Sequence, residues 1–286
     1  MSIKSVSNTL KTILFLVLEF PFRPRWAFYR TRGFAYGHFL NRFHKKRIGE
    51  YQSRLQSLED ALLFLTDHSR EEIIDAGRSE NLEKMQIYDD GHEQWVVSLP
   101  NESETVVAES EGPIEIFYGP SPEQMKTVHT VCRLLPPKIV IETGVAKGFT
   151  SVGILDALEQ NETGDLYSVE MPSLYFGYAQ QVGEKIPESL RKRWHLELGP
   201  SALVIPRLLD QLGFVDVFVY DSSASYDNQI AELNIILAGM RPGGVVIANQ
   251  INTDAFVEVA EAHDCKWTTT NQTKKPPHLC LLTKLS

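Results

Sequence analysis

Lys138-Ile139-Val140-Ile141-Glu142-Thr143-Gly144-Val145-Ala146-Lys147-Gly148-Phe149-Thr150-Ser151 reads as a buried strand, a glycine turn and the start of a helix. A run of apolar, mostly β-branched residues leads into Glu142 and so places an acid at the strand tip. Gly144 permits a sharp turn, and Gly148 lets a helix pack close to the strand or a ligand approach the backbone. The spacing Glu142-x-Gly144-x-x-x-Gly148 is not the dinucleotide fingerprint G-x-G-x-x-G. Nor is it a P-loop, since no Gly-Lys-Ser/Thr closes it.

Outward from this turn, strands and helices alternate. Residues 151–158 carry Val152, Ile154, Leu155 and Leu158 at helix-compatible spacing, and 161–164 break the pattern. Residues 165–169 form a short strand that ends on a second acid, Glu170. That acid falls about 20 residues beyond the glycine turn, where doubly wound nucleotide folds place a carboxylate on ribose hydroxyls. A carboxylate suits the task because it only accepts hydrogen bonds. Trp194–Leu198, Val215–Tyr220 and 245–248 read as further strands, and 202–212, 226–240 and 254–263 as helices, with Arg241-Pro242-Gly243-Gly244 as a turn. Strands near 266–270 and 279–283 have no helix between them and are expected to be antiparallel. The fold class is therefore α/β: a doubly wound, mostly parallel, seven-stranded Rossmann-like sheet with an antiparallel last strand, plus a mainly helical N-terminal extension. In such sheets ligands sit beyond the carboxyl ends of the strands, and Glu142, Glu170, Ser201, Asp221 and Asn249 all fall there.

These residues carry a resemblance. Glu142, Gly144 and Gly148, with Glu170, Asp221 at its strand tip and the Arg241-Pro242-Gly243-Gly244 turn, resemble the class I S-adenosylmethionine (SAM) dependent methyltransferases over about residues 125–286. The resemblance implies SAM as cofactor, bound among Glu142, Thr143, Gly144, Gly148, Ser151, Glu170, Ser201 and Asp221. Gly144 and its neighbours would meet the methionine part, Glu170 the ribose and Ser201 the adenine, although Pro200 stands where relatives commonly have aspartate. Residues 216–226, with the Arg241 turn and Asn249, are similar to the O-methyltransferase branch, which includes catechol-type enzymes and sugar-, macrolide- and antibiotic-tailoring relatives. Many of these hold magnesium on the aspartate that matches Asp221 and on an acidic or amide pair after the next strand. The resemblance thus implies Asp221 and Asn249 as ligands of Mg2+, a hard cation that would orient a hydroxyl and lower its pKa.

The chain departs from that branch at two places. Ala248 stands where one carboxylate is expected, and Ala224 where relatives often carry His or Lys. Asp221, Tyr226 or a histidine from elsewhere remain as the base that would take the acceptor's proton. The function implied is methyl transfer to a hydroxyl of a small molecule or saccharide-containing substrate. One rival is a protein that keeps the fold without catalysis and serves as a binding or scaffold protein at a membrane; Ala224 and Ala248 speak for it. A nicotinamide-dependent oxidoreductase is a second rival, and the glycine spacing speaks against it.

Charge is divided unevenly. The net charge is -9, yet residues 1–50 hold ten Lys/Arg against Glu19 and Glu50, a net of +8, leaving -17 for the rest. That basic arm is rich in aromatics and contains the run Ile13-Leu14-Phe15-Leu16-Val17-Leu18, too short to span a bilayer. Through residues 1–47 it would lie on a membrane surface, at the inner face of a cytoplasmic location, or pack on the protein or a homo-oligomer partner. The acidic body argues against nucleic acid. Residues 51–124 read as a helical and small β cap region, with one helix through Tyr51, Leu55, Leu58, Leu62 and Leu65, a capping box from Ser69 to Glu72, and a hairpin over 94–98 and 104–108. The resemblance implies that residues 125–286 form the SAM-dependent methyltransferase domain. Cys132, Cys265 and Cys280 lack metal-ligand spacing and read as reduced thiols, while His195 and His263 read as structural residues.

Overall fold

The computed structural model describes residues 41–79, 87–89, 95–97, 106–107, 122–171, 182–270 and 278–286. In chain order these include α1 (Ile48–Ser53), β1 (Leu55–Gln56), α2 (Leu58–Leu65), α3 (Arg70–Ala76), β2 (Ile87–Asp89), β3 (Trp95–Val97), β4 (Val106–Val107) and α4 (Pro122–Leu134). Then follow β5 (Ile139–Thr143), α5 (Phe149–Gln160), β6 (Asp165–Glu170), β7 (Trp194–Leu198), α6 (Ser201–Leu212), β8 (Val215–Tyr220), α7 (Tyr226–Gly239), β9 (Met240–Ile251), α8 (Ala255–Ala262), β10 (Cys265–Thr270) and β11 (His278–Lys284). β3 pairs antiparallel with β2 and β4 in a small separate sheet, so the expected hairpin is present.

The main sheet has eight strands in the order β1-β10-β11-β9-β8-β5-β6-β7. β7, β6, β5, β8 and β9 run parallel, and β11 inserts antiparallel between β9 and β10. This is a Rossmann-like arrangement, mostly parallel with one antiparallel strand inserted. The eighth strand is the two-residue β1, parallel to β10 at the sheet edge. The Arg241-Pro242-Gly243-Gly244 turn lies within β9 as a bulge, where the register against β8 shifts between Val215 and Val217. Asp216 holds that bulge by pairing with Arg241, whose guanidinium lies 4.0 Å from the Phe214 ring centroid.

Alternating side chains of the central strands feed two cores, as a sheet buried on both faces requires. Val140, Val217, Val219 and Ile247 pack with α2, α3, α4 and α5 on one face. Ile141, Phe218, Tyr220 and Val246 pack with Tyr51 of α1 and with α6, α7 and α8 on the other. The helices between 58 and 76 therefore share the core of the sheet: Leu62, Leu65, Ile73 and Ala76 are buried in it. The single helix expected from Tyr51 to Leu65 is broken instead. Arg54 accepts from the Thr268 hydroxyl at 2.8 Å and the Thr269 amide at 3.3 Å, which draws residues 55–56 onto β10. Ser57 then restarts the helix by accepting from the Asp60 amide. Pairing with the sheet edge outweighs a helical spacing of only two heptads. The capping box from Ser69 to Glu72 forms as the sequence predicts.

Residues 41–54 strap the C-terminal half of the sheet. The Asp254 carboxylate, almost wholly buried, accepts from the backbone amides of Lys46 and Arg47 at 3.0 and 2.8 Å. Arg47 makes two bonds to Glu261, and the buried Tyr51 hydroxyl donates to the Thr253 carbonyl at 2.7 Å. The end of the basic arm thus packs on the protein; of the segment 1–47 that bears the membrane reading, residues 1–40 lie outside the described residues. No helix among the described residues is long and apolar enough to cross a membrane.

Hydrogen bonds to a charged group contribute about 1.5–3 kcal/mol. Asp254→Ala, which leaves two strap amides without their acceptor, is expected to lower stability by about 2 kcal/mol in urea denaturation. A loss within experimental error would show that the strap does not hold the fold.

Candidate active site

The site grows from the end of β5. Gly144 adopts φ +86, in the left-handed region, and a Cβ there would overlap the Asp221 carbonyl. The Gly144 amide donates to the Val169 carbonyl at 3.1 Å, and the Asp221 amide to the Thr143 carbonyl at 2.9 Å. One turn therefore binds the tips of β6, β5 and β8 together. Gly148, at φ +92, caps α5 and is approached by the Gly183 backbone and the Ile186 side chain.

Glu170, at the tip of β6, reaches back onto this turn. Its Oε2 accepts from the amides of Val145 and Ala146 at 2.8 and 2.9 Å, and its Oε1 from the Met171 amide at 2.8 Å. Ala146 is itself left-handed at φ 46, which aims consecutive amides at the carboxylate.

Glu142 points into the α4/α5 side and is wholly buried. Its Oε2 accepts from the Ser151 and Ser168 hydroxyls at 2.7 and 2.8 Å, while its Oε1 has no hydrogen-bond partner among the described residues. Burial, opposed by those hydroxyls and aided by Asp221 and Glu170, pushes the Glu142 carboxyl up to about 7. Thr143 points to the opposite face and donates to Glu232 at 2.8 Å. Glu232, buried on α7, also accepts from Ser201, Ser222 and Asn228, and burial raises its carboxyl above the usual range.

Asp221 sits in a frame of amides. Gln124 of α4 donates to its Oδ2 at 2.8 Å and Asn249 of β9 to its Oδ1 at 3.0 Å. Asn249 also donates to the Gln124 carbonyl oxygen at 2.8 Å. Burial pushes the Asp221 carboxyl up to about 7, and the two amides hold it down against that. Tyr226 starts α7, and its hydroxyl donates to Glu258 at 2.5 Å. Burial, with Glu258 adding to it, raises that phenol to about 12. The strap reaches this point: the His44 ring stacks on Tyr226 at 3.6 Å, and Asn41 bonds both the Ala224 carbonyl and the Tyr226 amide.

The structure brings Glu142, Thr143, Gly144, Gly148, Ser151, Glu170 and Asp221 together around the turn. Ser201 lies on the Glu232 side, Asn249 against Asp221, and Tyr226 farther along beside Glu258 and His44. Gln124, Glu232, Asn41 and His44 were not legible as site residues. The signal for Glu232 was an acid on the apolar side of a helix, with Leu233, Ile236 and Leu237 as neighbours.

A profile of the methyltransferase-domain family matches residues 141–251, from the start of the Glu142 turn through Asn249. No curated protein matches the sequence significantly. Solved structures similar to this chain include the O-methyltransferase TomG from Streptomyces achromogenes, involved in tomaymycin synthesis and solved with SAM, at 20% identity and TM-score 0.47, covering 59% of this chain and 82% of that one. They also include the Bacillus cereus O-methyltransferase in complex with S-adenosylhomocysteine (SAH), at 16% identity and TM-score 0.46, covering 58% of this chain and 82% of that one. Residues 141–251 are thus similar to the methyltransferase-domain family.

Two predictions follow from the site. Glu142 and Asp221 are raised from 4.5 and 3.8 to about 7. A raised carboxyl contributes stability that is full below its unfolded value and is lost as pH rises through its folded value. Thermal melts are therefore expected to show Tm falling as pH rises from about 5 to 8, and Glu142→Gln to flatten part of that fall. A Tm that stays level or climbs over this range would contradict the assignment. Gly144→Ala, forced into a left-handed turn against the Asp221 backbone, is expected to cost at least ~2 kcal/mol of stability. Unchanged urea denaturation would mean that the turn is built differently.

Proposed function

We propose that this protein transfers the methyl group of SAM to a hydroxyl of a small molecule or saccharide-containing acceptor. The carrying observation is adjacency: the Gly144 turn, latched by Glu170, lies directly against Asp221. A cofactor site on the turn and a proton acceptor beside it are what O-methylation requires. Bound SAM supplies an electrophilic methyl, and as the acceptor oxygen bonds to it the C–S pair stays on sulfur.

The chain's own residues position and deprotonate. Glu170 is the candidate for the ribose hydroxyls, since its carboxylate already fixes the loop amides and retains acceptor capacity. Asp221 takes the proton that the acceptor hydroxyl loses. Its carboxyl, near 7, is matched to that task at neutral pH. Gln124 and Asn249 fix its orientation, and fixed geometry is worth roughly 7–11 kcal/mol of a bimolecular barrier at best. Tyr226 is a weaker candidate, since its proton is held toward Glu258.

The donor set around Asp221 does not fit magnesium. Both carboxylate oxygens are engaged by amide N–H groups, and the neighbouring position is Ala248. Magnesium takes oxygen ligands, usually including one or two carboxylates. No group of three or more His, Cys, Asp or Glu that could hold a metal is found among the described residues. Ala224 and Ala248 thus fit a cation-free site, and the scaffold reading has no further observation in its favour.

Calorimetric titration with SAH and turnover of SAM against a panel of hydroxyl compounds test this reading. Binding at a micromolar Kd, about 8 kcal/mol, is expected. Glu170→Ala should weaken it at least tenfold (roughly 1.4 kcal/mol), and EDTA should leave turnover unchanged. No binding by folded protein would overturn the cofactor reading. Methylation that stops in EDTA and returns with magnesium would overturn the cation-free site.

A further inference from the structure

Helix α7 begins without a cap of its own. Ser225 stands at the N-cap position with extended backbone, yet its side chain makes no capping hydrogen bond. The first amides of a helix have no partner within it, and leaving one unmet in a buried place is costly. Here the partner comes from the strap, 185 residues away. The Asn41 side chain accepts from the Tyr226 amide at 2.8 Å through Oδ1 and donates to the Ala224 carbonyl at 2.7 Å through Nδ2. One N–H and one C=O as partners fix which way the amide points. Asn41 is itself buried, which shields both bonds from water. His44 stacks on the Tyr226 ring, and its carbonyl accepts from the Asp254 amide at 2.8 Å.

The capped point ends the loop that begins at Asp221. Residues 222–225 are pinned at one end, where the Asp221 amide donates to the Thr143 carbonyl, and at the other by Asn41. Between these ends the Ser222 hydroxyl bonds Glu232, and the Ser223 carbonyl accepts from Tyr220. The Gly144 turn has supports of its own in the Val169 carbonyl and the Glu170 carboxylate.

We propose that Asn41 is a positioning residue for the acceptor side of the site: it caps α7 in place of Ser225, sets the path of residues 222–226 after Asp221, and leaves the cofactor turn to its own bonds. This rests on the reading above, in which Asp221 takes the acceptor's proton. Ligands of open α/β sheets lie beyond the carboxyl ends of the strands, and the loop after β8 borders that place. A loop with its far end loose offers the acceptor several poses, of which few bring its oxygen in line with the methyl. The loss then falls on acceptor kinetics and not on cofactor affinity.

The test combines amide exchange by NMR, calorimetric titration with SAH, and methylation of the panel compound that the native full chain turns over fastest. In Asn41→Ala, exchange is expected to quicken about tenfold at the amides of Tyr226 and of Gln229, the latter bonded to the Ser225 carbonyl. Acceptor kcat/KM is expected to fall about tenfold, with the Kd for SAH within about twofold of native. Ser69→Ala removes a cap of the same kind from α3 and should leave all three readouts at native values. Unchanged exchange in Asn41→Ala, or an acceptor kcat/KM no lower than that of Ser69→Ala, would overturn the proposal. So would an equal loss of SAH affinity, which would make the strap a support of the whole rim. Where Asn41→Ala folds poorly, Asn41→Asp decides. It still accepts from the Tyr226 amide but sets a carboxylate against the Ala224 carbonyl, so acceptor kcat/KM should fall likewise, and native kinetics would overturn the proposal. Failure of the native protein to bind SAH, or to methylate any compound of the panel, would overturn the function proposed above and this inference with it. Binding and methylation by the native protein, with both variants equal to it, would overturn this inference alone.

Discussion

The close approach of Gly144 to the Asp221 backbone is the constraint on which the site depends. Only a residue without Cβ allows it, and only a positive φ lets the chain turn there. With that contact made, one turn carries hydrogen bonds to β6 on one side and to β8 on the other. The amides that follow are presented to Glu170, and Asp221 is fixed within reach of Gln124 and Asn249. The geometry of three acids at one rim is thus a consequence of backbone shape more than of side-chain choice.

Those acids are held at an energetic disadvantage. A buried carboxylate is tolerated when hydrogen bonds replace water, and Glu232 meets that condition with four side-chain donors. Glu142 meets it on one oxygen only, and Asp221 with two neutral amides. Burial outweighs these bonds in both, and their carboxyls rise toward neutrality. A fold selected for stability alone would place apolar residues at these tips.

Much of this was legible in the sequence, and the rest was hidden for a definite reason. β7 and β8 fall on the predicted residues, because alternating or β-branched apolar residues bounded by turn residues are local signals. Glu142, Gly144, Glu170 and Asp221 were legible too, since each is fixed by its place at a strand tip. Gln124 was not. It lies 97 residues from the carboxylate it holds, on a helix whose spacing says only that one face is buried. Glu232 was hidden likewise, 89 residues from Thr143. The break at Leu55 escaped because its cause is an edge strand more than 200 residues away.

The strap extends this argument to the acceptor side. The loop after β8 carries Ala224, and a segment from far up the chain occupies the neighbourhood of that position. Asn41 holds both the Ala224 carbonyl and the Tyr226 amide, and His44 covers the Tyr226 ring. These contacts depend on Asp254 and Glu261, which anchor the backbone of Lys46 and the guanidinium of Arg47. The start of α7 is therefore shaped by residues 41–47 as well as by the loop after β8. The surface at the start of α7 thus draws on a part of the sequence outside residues 141–251, which the family profile does not cover.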